Sequence, residues 1–75
     1  MARKDAIQVE GRVVEKLPKS LFWVELANGH RLLAHLPGRS RRLAEGISTG
    51  DVVSLDVSPF DLSKGCVTRY NDLIL

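Results

Sequence analysis

The chain has 75 residues and a formal net charge of +2, from 11 Lys and Arg against 9 Asp and Glu. That length holds one modest core and so one domain, residues 1–75, and the single cysteine, Cys66, excludes an internal disulfide staple. The charged start Met1–Asp5 and the lack of any long apolar run exclude a secretory signal and a spanning helix, so a cytoplasmic protein is expected.

Ile7, Val9, Gly11 and Val13 alternate with polar residues and predict a first strand. The Val13-Val14 doublet breaks the period, which predicts a bulge or strong coil between Gly11 and Glu15. Leu17-Pro18-Lys19-Ser20 then reads as a loop. Phe22, Val24 and Leu26 alternate with Trp23 and Glu25 before the turn Ala27-Asn28-Gly29, whose Asn-Gly pair tolerates positive φ. The return strand sets Leu32, Ala34 and Leu36 on one face, with Arg31, Leu33 and His35 on the other. Even-numbered positions of both strands are therefore expected to face the core.

Pro37 and Gly38 stop the third strand. Leu43 and Ile47, four apart, suit one or two turns of helix within Arg39–Ile47, limited by Gly46 and Ser48-Thr49-Gly50. Val53, Leu55 and Val57 form a fourth strand, Ser58–Gly65 a long connection, and Cys66–Tyr70 a fifth strand. Three strands, a short helix and two strands make the chain order of an all-β, five-stranded OB-type Greek-key barrel.

Charge is unevenly spread. From Leu26 to Ala44 there is no Asp or Glu, while Arg31, Arg39, Arg41, Arg42, His30 and His35 all fall there. Such a stretch is either a basic solvated loop or a local field for phosphate.

Several blocks together resemble the bacterial translation initiation factor one family. They are Ile7–Pro18, Phe22–His30, Ala34–Arg39, Thr49–Val53 and the Ser58–Gly65 segment with its Asp61-Leu62-Ser63-Lys64-Gly65 core. The similarity runs from about Met1 to Val67. It implies an OB-fold monomer that binds the decoding, or aminoacyl, site of the small ribosomal subunit, touching ribosomal RNA and a neighbouring ribosomal protein and assisting the other initiation factors. It implies no cofactor, no metal and no catalytic residue, hence no enzyme.

The resemblance also implies an RNA-binding set. Gly38, Arg39, Arg41 and Arg42 fall where the family carries RNA-contacting residues, and arginine presents paired donors to phosphate. Trp23 points away from the apolar face and either stacks on a base or covers Leu21 or Leu33. His35 shares that outward set as an RNA contact or a plain surface histidine, whereas His30 is expected to support the hairpin. Ser63 and Lys64 are placed to reach a phosphate together with the Gly65 backbone, although Gly65 also suits a turn.

Some positions depart from the family. Cys66 and Gly46 stand where cations are usual, Ala44 replaces an aromatic, and most members carry a basic residue at the Trp23 position. Arg69 falls where an apolar residue is expected, and Leu73-Ile74-Leu75 ends apolar rather than basic, either packed on the barrel or frayed. Fewer cations predict weaker, less salt-dependent RNA binding. Besides the ribosomal reading, the same barrel suits a general single-strand RNA binder or chaperone, or a protein-interaction module using Leu33 and the tail.

Overall fold

The computed structural model describes residues 6–70 and 73–74, without the side chains of Arg39, Leu73 and Ile74. The described elements are β1 (Ile7–Leu17), β2 (Leu21–Leu26), β3 (Arg31–His35), a 3-10 helix (Gly38–Gly46), β4 (Val52–Ser58), β5 (Asp61–Tyr70) and β6 (Leu73–Ile74). The strands lie in the order β3-β2-β1-β4-β5-β6, and a parallel pairing of β3 with β5 closes the first five into a barrel. This is the expected OB architecture, with β6 added outside the ring on β5.

β1 serves both halves of the barrel. Ile7–Arg12 pairs with β4, and Gly11–Leu17 pairs with β2. The predicted bulge is at Val14, because Val13 faces Val24 while Glu15 faces Trp23. Gly11 is where the two pairings overlap, and a Cβ there would run into Val24 Cγ1 and touch Leu26 Cδ2. Only glycine lets β1 bend this closely over β2.

The even-numbered face is the core. Phe22, Val24, Leu32, Ala34 and Leu36 are buried together with Val13, Ile47, Val53, Leu55, Val57 and Val67. Full burial of a side chain such as Phe22 or Leu32 contributes about 1.5–3 kcal/mol. Leu26, at the strand end, is half-buried and packs against this cluster.

Two local expectations are corrected, the β1–β2 loop and the Ser58–Gly65 connection, while the short helix is where it is expected. β1 continues through Leu17, so the loop shrinks to a turn at Pro18–Ser20, with Lys19 (φ 65) and Ser20 (φ 61) left-handed. The helix is of the 3-10 type: Ser40 and Ile47 amides bond three residues back, to Pro37 and Ala44. Gly38 and Gly46 at its ends disfavour a longer regular helix.

The long connection is mostly strand. β5 begins at Asp61, leaving Pro59 and Phe60 as the turn. Val57 pairs with Gly65 and Ser58 with Asp61, so Leu62, Ser63 and Lys64 bulge away from β4. That bulge carries β5 across to β3, where Lys64, Ala34's partner Gly65, and Cys66 meet Leu33–His35. The Asp61 carboxylate accepts the Ser63 amide and hydroxyl, and the His30 ring Nε2–H donates to the Leu62 carbonyl at 2.8 Å. The His30 ring thus ties the hairpin to the β4–β5 bulge.

Arg69 is exposed because of a second bulge. Leu55 faces Val67 and Ser54 faces Arg69, so Thr68 is the extra residue and the inward side passes from Val67 to Tyr70. Of the apolar tail, the Leu73–Ile74 backbone pairs with Arg69–Tyr70, while Leu75 lies outside the described residues.

Candidate nucleic-acid interface

The outer surface of β2, β3 and β5 carries most of the predicted site. Alternation puts Trp23 outside the barrel between buried Phe22 and Val24, and the side chain is 38% exposed. Trp23 pairs with Leu33, and Leu33 pairs with Lys64. An indole, an aliphatic side chain and an exposed cation therefore form one row across three strands. Beside it Leu21, His35 and Cys66 form a second row, with His35 exposed and Cys66 half-buried.

An apolar strip edged by a cation suits a nucleobase and its phosphate. Such a strip has the chemistry to receive a base face on the indole and the aliphatic side chain and a phosphate oxygen on the ammonium. Trp23 is also placed to shield Leu33, so both roles foreseen for it are compatible with one position.

β3 and β5 run in the same direction here, toward the end where the chain leaves His35 for Pro37 and the 3-10 helix. Arg41 and Arg42 are exposed on that helix. Ser40 between Arg39 and Arg41 is buried and anchors the first turn through its amide. A Cβ at Gly38 meets nothing within 4 Å, so packing does not demand glycine there. The Arg39 side chain lies outside the described residues.

Gly65 and Ser63 also have neighbours of their own within the barrel. The Gly65 backbone is buried between Ala34 and Val57, its neighbours in the two flanking strands, and so is not open to a phosphate. Its glycine answers close packing rather than turn geometry, since a Cβ would sit 3.2 Å from Leu32 Cδ1 and Val57 Cγ2. Ser63 already donates its hydroxyl to Asp61. These bonds from the Ser63 side chain and backbone, helped by nearby Lys64, hold the Asp61 carboxyl below its ordinary value of 3.8, against a smaller opposing effect of desolvation.

The basic stretch is partly balanced in space. Arg31 Nε lies 3.1 Å from Glu25 Oε2, its cross-strand partner, with Arg31 exposed and Glu25 partly so. Glu25 lies just before the acid-free stretch in the chain, so charge counting along the sequence missed it. Tyr70 was also missed. Its hydroxyl reaches the Gly46 carbonyl at the end of the 3-10 helix, a contact that only the Thr68 bulge makes available. No group of His, Cys, Asp and Glu among the described residues has metal-binding geometry.

Comparison with known proteins agrees with this barrel. The family model described as translation initiation factor 1A / IF-1 matches residues 1–72. The solution structure of translation initiation factor one from the Wolbachia endosymbiont strain TRS of Brugia malayi is 35% identical, with a TM-score of 0.70 over 92% of this chain and 82% of that one. YjeQ from Thermotoga maritima is 26% identical with a TM-score of 0.63, over 87% of this chain but only 23% of its own length. The chain belongs to the translation initiation factor 1A / IF-1 family, and its role is in translation initiation.

Proposed function

We propose that this protein acts as a single-domain, cytoplasmic monomer that binds the decoding site of the small ribosomal subunit through ribosomal RNA, occluding that site and assisting the other initiation factors. The family match across residues 1–72 carries the reading. Its local support is the outward row Trp23, Leu33 and Lys64, with the exposed Arg41 and Arg42 following β3. Arg39, His35 and Gly38 complete the RNA-facing set, and a ribosomal protein beside the site is the expected second contact.

The test is co-sedimentation with purified small ribosomal subunits at several salt concentrations, with excess unstructured RNA as competitor. Binding that weakens with salt yet resists competitor is expected. Arg41→Glu should weaken it strongly while leaving the fold intact. The exposed Trp23, at a position where the family favours a cation, supports a second reading as a general single-strand RNA binder. Complete loss of subunit binding to the competitor selects that reading, and absence of RNA binding at every salt concentration overturns both.

A further inference from the structure

The Tyr70 hydroxyl lies 2.6 Å from the Gly46 carbonyl oxygen and 3.1 Å from Asp51 Oδ2. Gly46 ends the 3-10 helix, and Asp51 immediately precedes β4. The same Asp51 oxygen accepts the Ser48 amide at 2.9 Å, and the Asp51 amide donates to the Ser48 carbonyl at 3.1 Å. The phenol therefore sits between the end of the helix and the turn that leads into the barrel.

Apart from this phenol, the helix is held by Ala44 against the core and by the buried Ile47 that follows it. It is nine residues of 3-10 geometry, no side chain caps its start, and among its described side chains only Ser40 is buried. Runs of this kind longer than about four residues are uncommon because their hydrogen bonds are poorly aligned. Tyr70, by contrast, is held on both sides by backbone pairing, to Val53 of β4 and to Leu73 of β6, and its ring packs against the core.

We propose that Tyr70 is a positioning residue for RNA binding: its hydroxyl latches the end of the 3-10 helix to β5 and the β5–β6 pair, and so sets the direction in which Arg41 and Arg42 are presented. This rests on the reading that those arginines contact ribosomal RNA. The C-terminal β6 acquires a role in the same step, as it pairs with the strand end that carries the latch. A loosened segment must be ordered on binding, and that ordering lowers affinity without removing any charge.

Tyr70→Phe keeps the ring and deletes the hydroxyl. In residue-resolved amide exchange, Ile47 and Ser48 should exchange about two- to tenfold faster, the size of one net hydrogen bond, while Val24 and Leu55 do not change. Small-subunit affinity should fall by a similar factor with an unchanged salt slope. In an Arg41→Ala/Arg42→Ala background the same change should cost no further affinity, because the latch acts through those side chains.

Unchanged exchange at Ile47 and Ser48 overturns the latch. So does faster exchange at Val24 and Leu55, which would mark a general role in stability, or an equal affinity loss without the arginines. If the unaltered protein fails to bind subunits at all, the proposed function falls and takes the RNA-directed half of this inference with it. That outcome is distinct from failure of the latch alone, in which the unaltered protein binds and exchange at the helix end is insensitive to Tyr70.

Discussion

Leu33 of β3 pairs with Lys64 of β5 at the parallel junction that closes the barrel. The junction exists because three residues of β5 bulge away from β4, and it brings a cation from late in the chain beside the central hairpin. Lys64→Ala should therefore weaken RNA binding while the fold stays intact. The plot of log affinity against log salt should become shallower by about 0.7–0.9, as expected for one lost phosphate contact. Titration of the subunit over a series of salt concentrations checks this, and an unchanged slope removes Lys64 from the interface.

Trp23 offers an internal reporter. If its indole receives a base, its fluorescence should be quenched on binding, and Trp23→Ala should reduce affinity by about 1–3 kcal/mol. Trp23→Phe should recover most of that loss. Equal affinities for Ala and Phe variants, with stability reduced in the Ala form alone, would assign Trp23 to shielding Leu33.

Gly65 and Gly11 test the packing argument. A methyl group at Gly65 meets Leu32 and Val57 at 3.2 Å, so Gly65→Ala should destabilise the protein by about 1–3 kcal/mol, the usual range for overpacking. Gly11→Ala should cost more, since its Cβ overlaps Val24 outright. Urea midpoints measured by circular dichroism give both values. Gly38→Ala, with open space around the added carbon, serves as the neutral comparison.

Asp61 predicts an acid-side effect. Its folded-state value is lowered by the Ser63 side chain first, then the Ser63 amide, with a smaller contribution from Lys64. The stabilisation from those bonds is fully present above the ordinary value of 3.8 and disappears as pH falls through the lowered folded value. Asp61→Asn should remove that part of the pH dependence below pH 3.8 and leave the curve near neutrality unchanged in shape. Thermal melts across the acid range check it, and identical pH profiles would refute it.

The hairpin shows how much local pattern reveals. Alternation from Phe22 to Leu36 identified the buried face residue by residue, because side chains on a strand must point to opposite sides. Asn28-Gly29 placed the turn for an equally local reason. The bulge near Val14 was also legible, since a hydrophobic doublet cannot keep both members inside a regular ladder.

The site was legible only in part. Trp23, His35, Arg41, Arg42 and Lys64 are exposed as expected. Gly65 is buried between neighbouring strands, and the Ser63 hydroxyl donates to Asp61. These partners lie in different strands or in a bulge whose register no composition rule predicts. The ion pair of Arg31 with Glu25 was hidden for the same reason.

By itself, the sequence determined the class of fold, the central hairpin and the family, because periodicity and short motifs are properties of neighbouring residues. Tertiary structure decided the rest: the 3-10 form of Gly38–Gly46, the closure of β3 on β5, and the swing of Arg69 outward and Tyr70 inward around Thr68. Each depends on which strand lies alongside, and one extra residue in a ladder reverses every side chain beyond it.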